Sequence, residues 1–249
     1  MQETRSEVLA FKRTPITSRN VTQANRLVEA AYQMTLNEKR LLMLGMSKVD
    51  PTVFPGKDDR LNFTLSAVEW SEAFSTENAY RDMSKAADLL KKRGAVLRDD
   101  AEERKEINWV EACTYHKRLA SVTIEFTRSA TVFLTGLRES FTKYTFISAA
   151  KLSSFYTIRL WEMCSQYRST GYIRIAVSDL RERLVLEAKF KLFSDLRKWV
   201  IEPACKEITE KTEKNLSFTM IKEGRTVTFV EFHFHDKQQL TLDLPAARS

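Results

Sequence analysis

The sequence predicts an α+β protein of two tandem helix-turn-helix units, each closed by a β-hairpin, and three observations carry that expectation. From Ser153 to Thr226 the order is a packing helix, a short strand, a capped helix, a long basic helix and a Gly-turn hairpin. An upstream stretch repeats it: a helix around Leu36 to Met46, a strand from Leu61 to Leu65, a helix from Ser66, a basic helix from Thr76 to Arg93, then strands from Ala95 to Phe126. The composition allows it, since 249 residues leave room for one large domain or two small ones and 43% hydrophobic side chains are enough for real cores. Six Gly, five Pro and 29% charged residues favour a helix-rich chain, with disorder confined to the termini.

The first elements follow from local pattern. Residues 1–20 lack periodicity and carry Arg5, Lys12, Arg13 and Arg19, which reads as a flexible basic arm. Ala24 to Tyr32, then Leu36, Arg40, Leu41, Met43 and Leu44, suit one or two amphipathic helices ending near Asp50-Pro51. Leu61, Phe63 and Leu65 alternate as a strand and run into Ser66-Ala67-Val68-Glu69. That is a capping box, in which the Ser hydroxyl accepts the third residue's N–H and the Glu reaches back to the cap amide. Ser75 or Thr76 is the expected cap of the next helix, whose buried stripe is Ala79, Met83, Ala86 and Leu90. Its opposite face collects Arg81, Ser84, Lys85, Asp88 and Lys92, which also suits the solvated side of any helix. Ala95 to Phe126 is strand-like, with turns at Asp99 to Glu106 and His116 to Arg118, and Ala130 to Tyr144 reads as a helical or irregular connector.

The second unit is clearer. A helix carries Phe155, Ile158, Leu160, Trp161 and Cys164 and stops at Arg168-Ser169-Thr170-Gly171. Tyr172, Arg174 and Ala176 alternate with Ile173, Ile175 and Val177 in a strand, after which Ser178 is the expected cap of a helix running through Leu184. Ser194 is the expected cap of the long helix reaching about Thr212, with Leu196, Val200, Ala204 and Ile208 on its core face. Pro203, lacking an amide and crowding the preceding turn, should kink that helix or begin its second half. Phe218 to Ile221 and Thr226 to Phe234 flank Lys222-Glu223-Gly224-Arg225, a hairpin with a basic tip.

Charge points to a polyanion. The net charge is +7 and the isoelectric point about 9.3, the sequence-independent footprint of nucleic-acid binding. In a helix-turn-helix the first turns of the second helix enter the major groove, and Lys189, Lys191, Ser194, Arg197 and Lys198 put donors there. Arg or Lys can read guanine through O6 and N7, whereas phosphate contacts give affinity without sequence. Lys222 and Arg225 suit the flanking backbone or minor groove, and an ordinary polar turn reads the same way.

Other chemistries find little support. Cys113, Cys164 and Cys205 are odd in number and form no CxxC pair, so reduced packing thiols are expected. His233-Phe234-His235 matches the His-hydrophobe-His pattern of rolling-circle nickases, in which alternation puts both imidazoles on one strand face to hold a metal. Such enzymes also need a nucleophilic tyrosine, and the last one, Tyr172, lies well upstream. The polar face of a terminal strand explains both histidines as well. There is no GxxxxGK[ST] loop, no GxSxG and no metal-type Cys/His cluster, so no enzymatic activity, metal or cofactor is expected. Met1 to Asn20 is polar and basic and no apolar run approaches about 18 residues, so the expectation is a cytoplasmic protein that neither enters nor crosses a membrane.

Three groups of residues, in order, carry a family resemblance. The first is Val21, Gln23, Asn25, Leu27 and Glu29-Ala30-Ala31-Tyr32, then Lys39-Arg40, Leu42 and Leu44. The second is Leu134, Gly136-Leu137, Phe141-Thr142 and Tyr144, then Tyr156, Arg159-Leu160, Glu162 and Gln166-Tyr167-Arg168. The third is Phe193, Leu196-Arg197-Lys198, Val200-Ile201-Glu202-Pro203-Ala204, Lys206-Glu207-Ile208 and Lys211-Thr212. With these the chain resembles the iteron-binding replication initiators of theta-replicating plasmids, from Val21 to about Phe234.

The resemblance implies two tandem winged-helix domains that bind directly repeated origin sequences as a monomer. It further implies a homodimer, in equilibrium with that monomer, that represses the initiator's own promoter, and recruitment of the host replication initiator and replicative helicase. By position, Lys191, Ser194, Arg197 and Lys198 would read bases, Lys222 and Arg225 would form the wing contact, and Asn78, Arg81 and Lys85 would serve mainly the backbone. Trp199 departs from a more basic version of the motif and leaves fewer cations in that turn. The expected layout is an arm over 1–20, an N-terminal winged-helix domain over 21–135 for dimerisation and backbone contacts, a C-terminal one over 136–240 for the main sequence reading, and a tail over 241–249. A transcriptional repressor without origin function and a metal-dependent nickase are the alternatives.

Overall fold

The computed structural model describes residues 15–53, 56, 61–98 and 102–237, and the chain divides after Ala150 into two compact units. The first opens with β1 (Asn20–Ala24) and α1 (Asn25–Glu29), followed by α2 (Leu36–Met46). Thr35 starts α2 through a capping box: its hydroxyl accepts the Glu38 amide at 3.2 Å, and the Glu38 carboxylate accepts the Thr35 amide at 2.6 Å. β2 (Asn62–Ser66) then enters α3 (Ala67–Phe74) through the box read from the sequence, with Ser66 and Glu69 exchanging both bonds at 3.2 Å. Gly45 of α2 lies where any Cβ would meet the ring of Phe63 on β2, so close helix–strand packing requires glycine there.

α4 (Ala79–Leu90) buries the predicted stripe of Ala79, Met83, Ala86 and Leu90. Neither Ser75 nor Thr76 caps it. Ser75 instead ends α3 in the left-handed region at φ 51°, and Asn78 is the residue before α4. β3 (Gly94–Arg98) pairs with β4 (Arg104–Asn108), while β5 (Val110–His116) and β6 (Ser121–Phe126) form the hairpin that completes a three-stranded antiparallel sheet in the order β2-β6-β5. Arg104 to Glu106, predicted as turn, are therefore strand, and Asp99 to Ala101 lie outside the described residues. Phe63, Leu65, Val122, Ile124 and Phe126 put that sheet's inner face against Trp70, Met83 and Leu90 of the core.

After α5 (Arg128–Thr131), the predicted connector contains β7 (Phe141–Thr145), antiparallel to β1, and then α6 (Phe146–Ala150). Asn20 pairs with Thr145 and Ala24 with Phe141, and the buried Phe146 ring packs edge-on against Phe74 at 5.9 Å. These contacts tie residues up to Ala150 to the first unit, so the boundary expected at 135/136 moves to Ala150. Part of the expected arm is also fixed: Ile16 is buried and Arg19 pairs with Glu69 at 3.4 Å. Arg5, Lys12 and Arg13, like the expected tail at 241–249, lie outside the described residues.

The second unit runs α7 (Phe155–Gln166), β8 (Tyr172–Ala176), α8 (Val177–Arg183), a turn, α9 (Phe193–Leu196), one π-helical turn (Arg197–Ile201), α10 (Glu202–Lys211), β9 (Lys214–Glu223) and β10 (Thr226–Asp236). Its sheet is antiparallel in the order β8-β10-β9. Ile173, Ile175, Val230, Phe232 and Phe234 of the sheet are buried, as are Leu160, Trp161, Leu196, Val200, Ala204 and Ile208 of the helices. Within α7 the wholly buried Arg159 and Glu162 pair at 3.0 Å, each offsetting the desolvation of the other. Thr209 both donates to the Leu216 carbonyl at 3.3 Å and accepts its amide at 2.9 Å, locking α10 to the first strand of the hairpin. Each unit thus has a helix, an inner strand, two further helices and a hairpin whose second strand lies beside the inner strand.

Candidate nucleic-acid interface

Two helices and the turn between them build the second unit's helix-turn-helix. α8 ends at Arg183, and residues 184–192 then carry two non-glycine residues with left-handed backbone, Val185 at φ 53° and Phe190 at φ 51°. The turn is held by Arg181, whose guanidinium donates to the carbonyls of Phe190 at 2.6 Å, Lys191 at 3.2 Å and Lys189 at 3.3 Å. One planar fork thereby fixes the backbone from which Lys189 and Lys191 project into solvent. Arg181 acts on main-chain acceptors that leave no side-chain signature, so the sequence pattern did not single it out.

The helix after the turn is continuous from Phe193 to Lys211 but changes pitch. Pro203 has no amide to offer the Trp199 carbonyl four residues earlier, and the Glu202 amide bonds instead to the Arg197 carbonyl, five residues back. Pro203 thus sits in the first turn of α10, beyond the widened turn. Arg197, Lys198 and Trp199 stand exposed in a row between buried Leu196 and buried Val200. Arg197 reaches Glu202 at 3.2 Å, and the Lys198 ammonium lies 5.0 Å from the Trp199 ring centroid. Ser194 is exposed inside α9 rather than at its cap, which falls on Leu192, and Ser178 is likewise inside α8, whose cap is Ala176. Neither cap makes a side-chain hydrogen bond, since strand and turn geometry set these starts.

The wing is the β9–β10 hairpin. Glu223 pairs with Thr226, so Gly224 and Arg225 form a two-residue turn with Gly224 at φ 61°, the positive angle that the first position of a II′ turn demands. Lys222 and Arg225 are exposed there.

The first unit repeats the arrangement with weaker charge. Asn78, Arg81 and Lys85 are exposed at the start and on the outer face of α4, and Arg81, 74% exposed, faces Asp82 at 3.7 Å. Its wing is β5–β6, whose tip is a short 3-10 turn of Lys117, Arg118 and Leu119 ending on Ala120 at φ 44°. All three tip residues are exposed. The turn expected at His116 to Arg118 is this tip, although no Gly or Asn holds its left-handed position.

The histidine motif has a different setting. His233 and His235 share one face of β10 while Phe232 and Phe234 enter the core. Cross-strand pairing puts Tyr172 opposite His233, with the rings stacked at 6.3 Å, and Glu231 lies 3.6 Å from the imidazole. The tyrosine that is remote in sequence is thus adjacent in space. Among the described residues, no group of three His, Cys, Asp or Glu side chains is arranged to hold a metal ion, and no helix is long and apolar enough to cross a membrane. The three cysteines are free thiols. Burial pushes Cys164 well up and carries Cys205 to about 12 with help from Glu202, so both stay protonated packing groups at neutral pH.

Comparison with known proteins agrees with this architecture. The family description "Initiator Replication protein, WH1" matches residues 20–165, and "Initiator Rep protein, WH2" matches residues 176–234. An Escherichia coli replication initiation protein is 25% identical over 232 residues, covering 89% of this chain and 71% of that protein. An uncharacterized 27.6 kDa E. coli protein is 25% identical over 230 residues, covering 88% and 95% of the two chains. Among solved structures, the Pi initiator protein in complex with iteron DNA superposes with a TM-score of 0.75 at 22% identity, over 89% of this chain and 99% of that one. The fold is that of two tandem winged-helix domains, and the chain belongs to the initiator replication protein family.

Proposed function

We propose that this protein starts replication of the plasmid that encodes it by binding directly repeated duplex sequences, iterons, at the origin. The observation that carries the reading is the exposed set of Lys189, Lys191, Ser194, Arg197 and Lys198 on the turn and first turns of the second unit's long helix. It is supported by family membership and by the likeness to a solved initiator bound to iteron DNA. In this reading Lys189, Lys191, Ser194, Arg197 and Lys198 contact base edges and nearby phosphates, and Lys222 and Arg225 hold the flanking backbone or minor groove. Asn78, Arg81 and Lys85 give the first unit its backbone contacts. The protein acts in the cytoplasm, without catalysis or cofactor, as a DNA-binding monomer. Its homodimer represses its own promoter through the first unit, and the bound monomer recruits the host initiator and replicative helicase.

Binding to the direct repeats flanking the gene, with random duplex as competitor, tests this. Repeats should win, and Arg197→Ala should weaken repeat binding by about 1–3 kcal/mol while Arg225→Ala weakens repeat and random binding alike. Equal affinity of the wild-type protein for both duplexes would sink the reading. A plasmid carrying the repeats and the gene should replicate; failure to do so with intact repeat binding would favour a repressor without origin function. Supercoiled origin DNA should stay uncut with Mg²⁺ or Mn²⁺, since nicking abolished by His233→Ala would restore the nickase alternative.

A further inference from the structure

The widened turn of the reading helix exposes an aromatic side chain that electrostatics does not explain. Trp199 is 59% exposed, although its neighbours Leu196 and Val200 are buried. An exposed indole on a helix that carries Arg197 and Lys198 beside it has an apolar surface but a cationic rim. The Lys198 ammonium lies over the ring at 5.0 Å, so charge and apolar surface are presented together. Moreover, the only π-helical turn among the described residues spans these side chains. Such turns are frequent at functional sites.

What fits an apolar patch rimmed by cations is a surface that is itself apolar in the middle and anionic at the edges. The major groove of duplex DNA has that form where thymines occur, because the thymine 5-methyl group is its one apolar feature and phosphates flank it on both sides. Leu192, 66% exposed at the start of the same helix and next to Lys191, repeats the combination seven residues earlier, about two helical turns away.

We infer that Trp199 is a sequence-reading residue that packs its indole against thymine methyl groups in the major groove, so that part of the site's specificity is apolar. The inference rests on the protein being a sequence-specific duplex binder. It replaces the cation missing from that turn with a different form of readout, one that selects A·T pairs where arginine and lysine select guanine.

Removing methyl groups tests it. The probe is a duplex enriched by the full-length protein from a randomised pool, synthesised once with thymine and once with uracil throughout, which leaves every hydrogen bond in place. Wild-type protein should bind the thymine duplex about fourfold more tightly for each methyl group packed, the value of one buried methylene-sized group. Trp199→Ala, folded as judged by circular dichroism, should bind both duplexes alike, and Trp199→Phe should keep a reduced preference. Equal wild-type binding to the two duplexes overturns the inference while leaving sequence-specific binding intact. A thymine preference that survives in Trp199→Ala also overturns it, assigning the methyl contact elsewhere. Equal binding together with a changed sedimentation of Trp199→Ala would make this face a contact between copies of the chain. Enrichment of no sequence would reject both the inference and the specific-binding reading beneath it.

Discussion

Arg181 is none of the residues proposed to read bases, yet the carbonyls of Lys189, Phe190 and Lys191 all accept from it. Those acceptors sit in a turn that holds Val185 and Phe190 in the left-handed region, which is costly for side chains with a Cβ. A charged donor shared by several carbonyls offsets that strain and fixes where Lys189 and Lys191 leave the backbone. Lysine keeps the charge but not the rigid fork. Arg181→Lys is therefore expected to weaken specific DNA binding by about 1.5–3 kcal/mol, the worth of a hydrogen bond to a charged group, and to speed amide exchange across residues 187–192. Unchanged exchange with unchanged affinity would show that the turn holds itself. At this scale the sequence was partly readable: Arg197 and Lys198 stand exposed where charge pattern and helix position put them. Ser194 and Ser178 have side chains that suit caps, but strand β8 and the Arg181-held turn start these helices two residues earlier.

Elements with a strong local code were legible, and those made by distant pairing were not. α2, the Ser66 box opening α3, α7 and the Leu196-Val200-Ala204-Ile208 face all follow from periodicity and caps within a few residues. β7 has alternating burial, but its partner β1 lies more than a hundred residues away in sequence, so nothing local distinguished it from a connector. The start of the second unit is held in a similarly non-local way. Glu207 on α10 accepts the Ser153 amide at 2.8 Å and hydroxyl at 2.6 Å ahead of α7, and Lys211 at 2.6 Å from its own helix. Burial pushes the Glu207 carboxyl up, but the Lys211 and Ser153 hydrogen bonds outweigh it, and its pKa is lowered from 4.5. A carboxylate lowered on folding contributes its stability in full above its unfolded value and loses it as pH falls through the folded one. Glu207→Gln should thus cost about 1 kcal/mol near neutrality and flatten the decline of the urea midpoint as pH drops below 4.5. An acid limb as steep in the variant as in the wild type would remove Glu207 from that role.

For the whole molecule, the repeated order of elements made the two-unit organisation readable, while the join moved to Ala150 because β7 and α6 complete the first unit. That repetition also gives the net charge of +7 two outlets, one in each wing. Lys117 and Arg118 occupy the tip of β5–β6, and Lys222 and Arg225 the tip of β9–β10. If both wings grip the same duplex, each cation on a phosphate releases counterions, and the logarithm of affinity falls with the logarithm of salt by about 0.9 per contact. The double variant Lys117→Ala/Arg118→Ala should then lower that slope by about 2, Lys222→Ala/Arg225→Ala by a similar amount, and the quadruple variant by about 4. Titrations of the direct repeats at several salt concentrations provide the measurement. A slope indifferent to Lys117 and Arg118 but reduced by the second pair would confine phosphate contact by the wings to the second unit. Additive losses would mean that the first unit's wing carries its own share of the electrostatic grip.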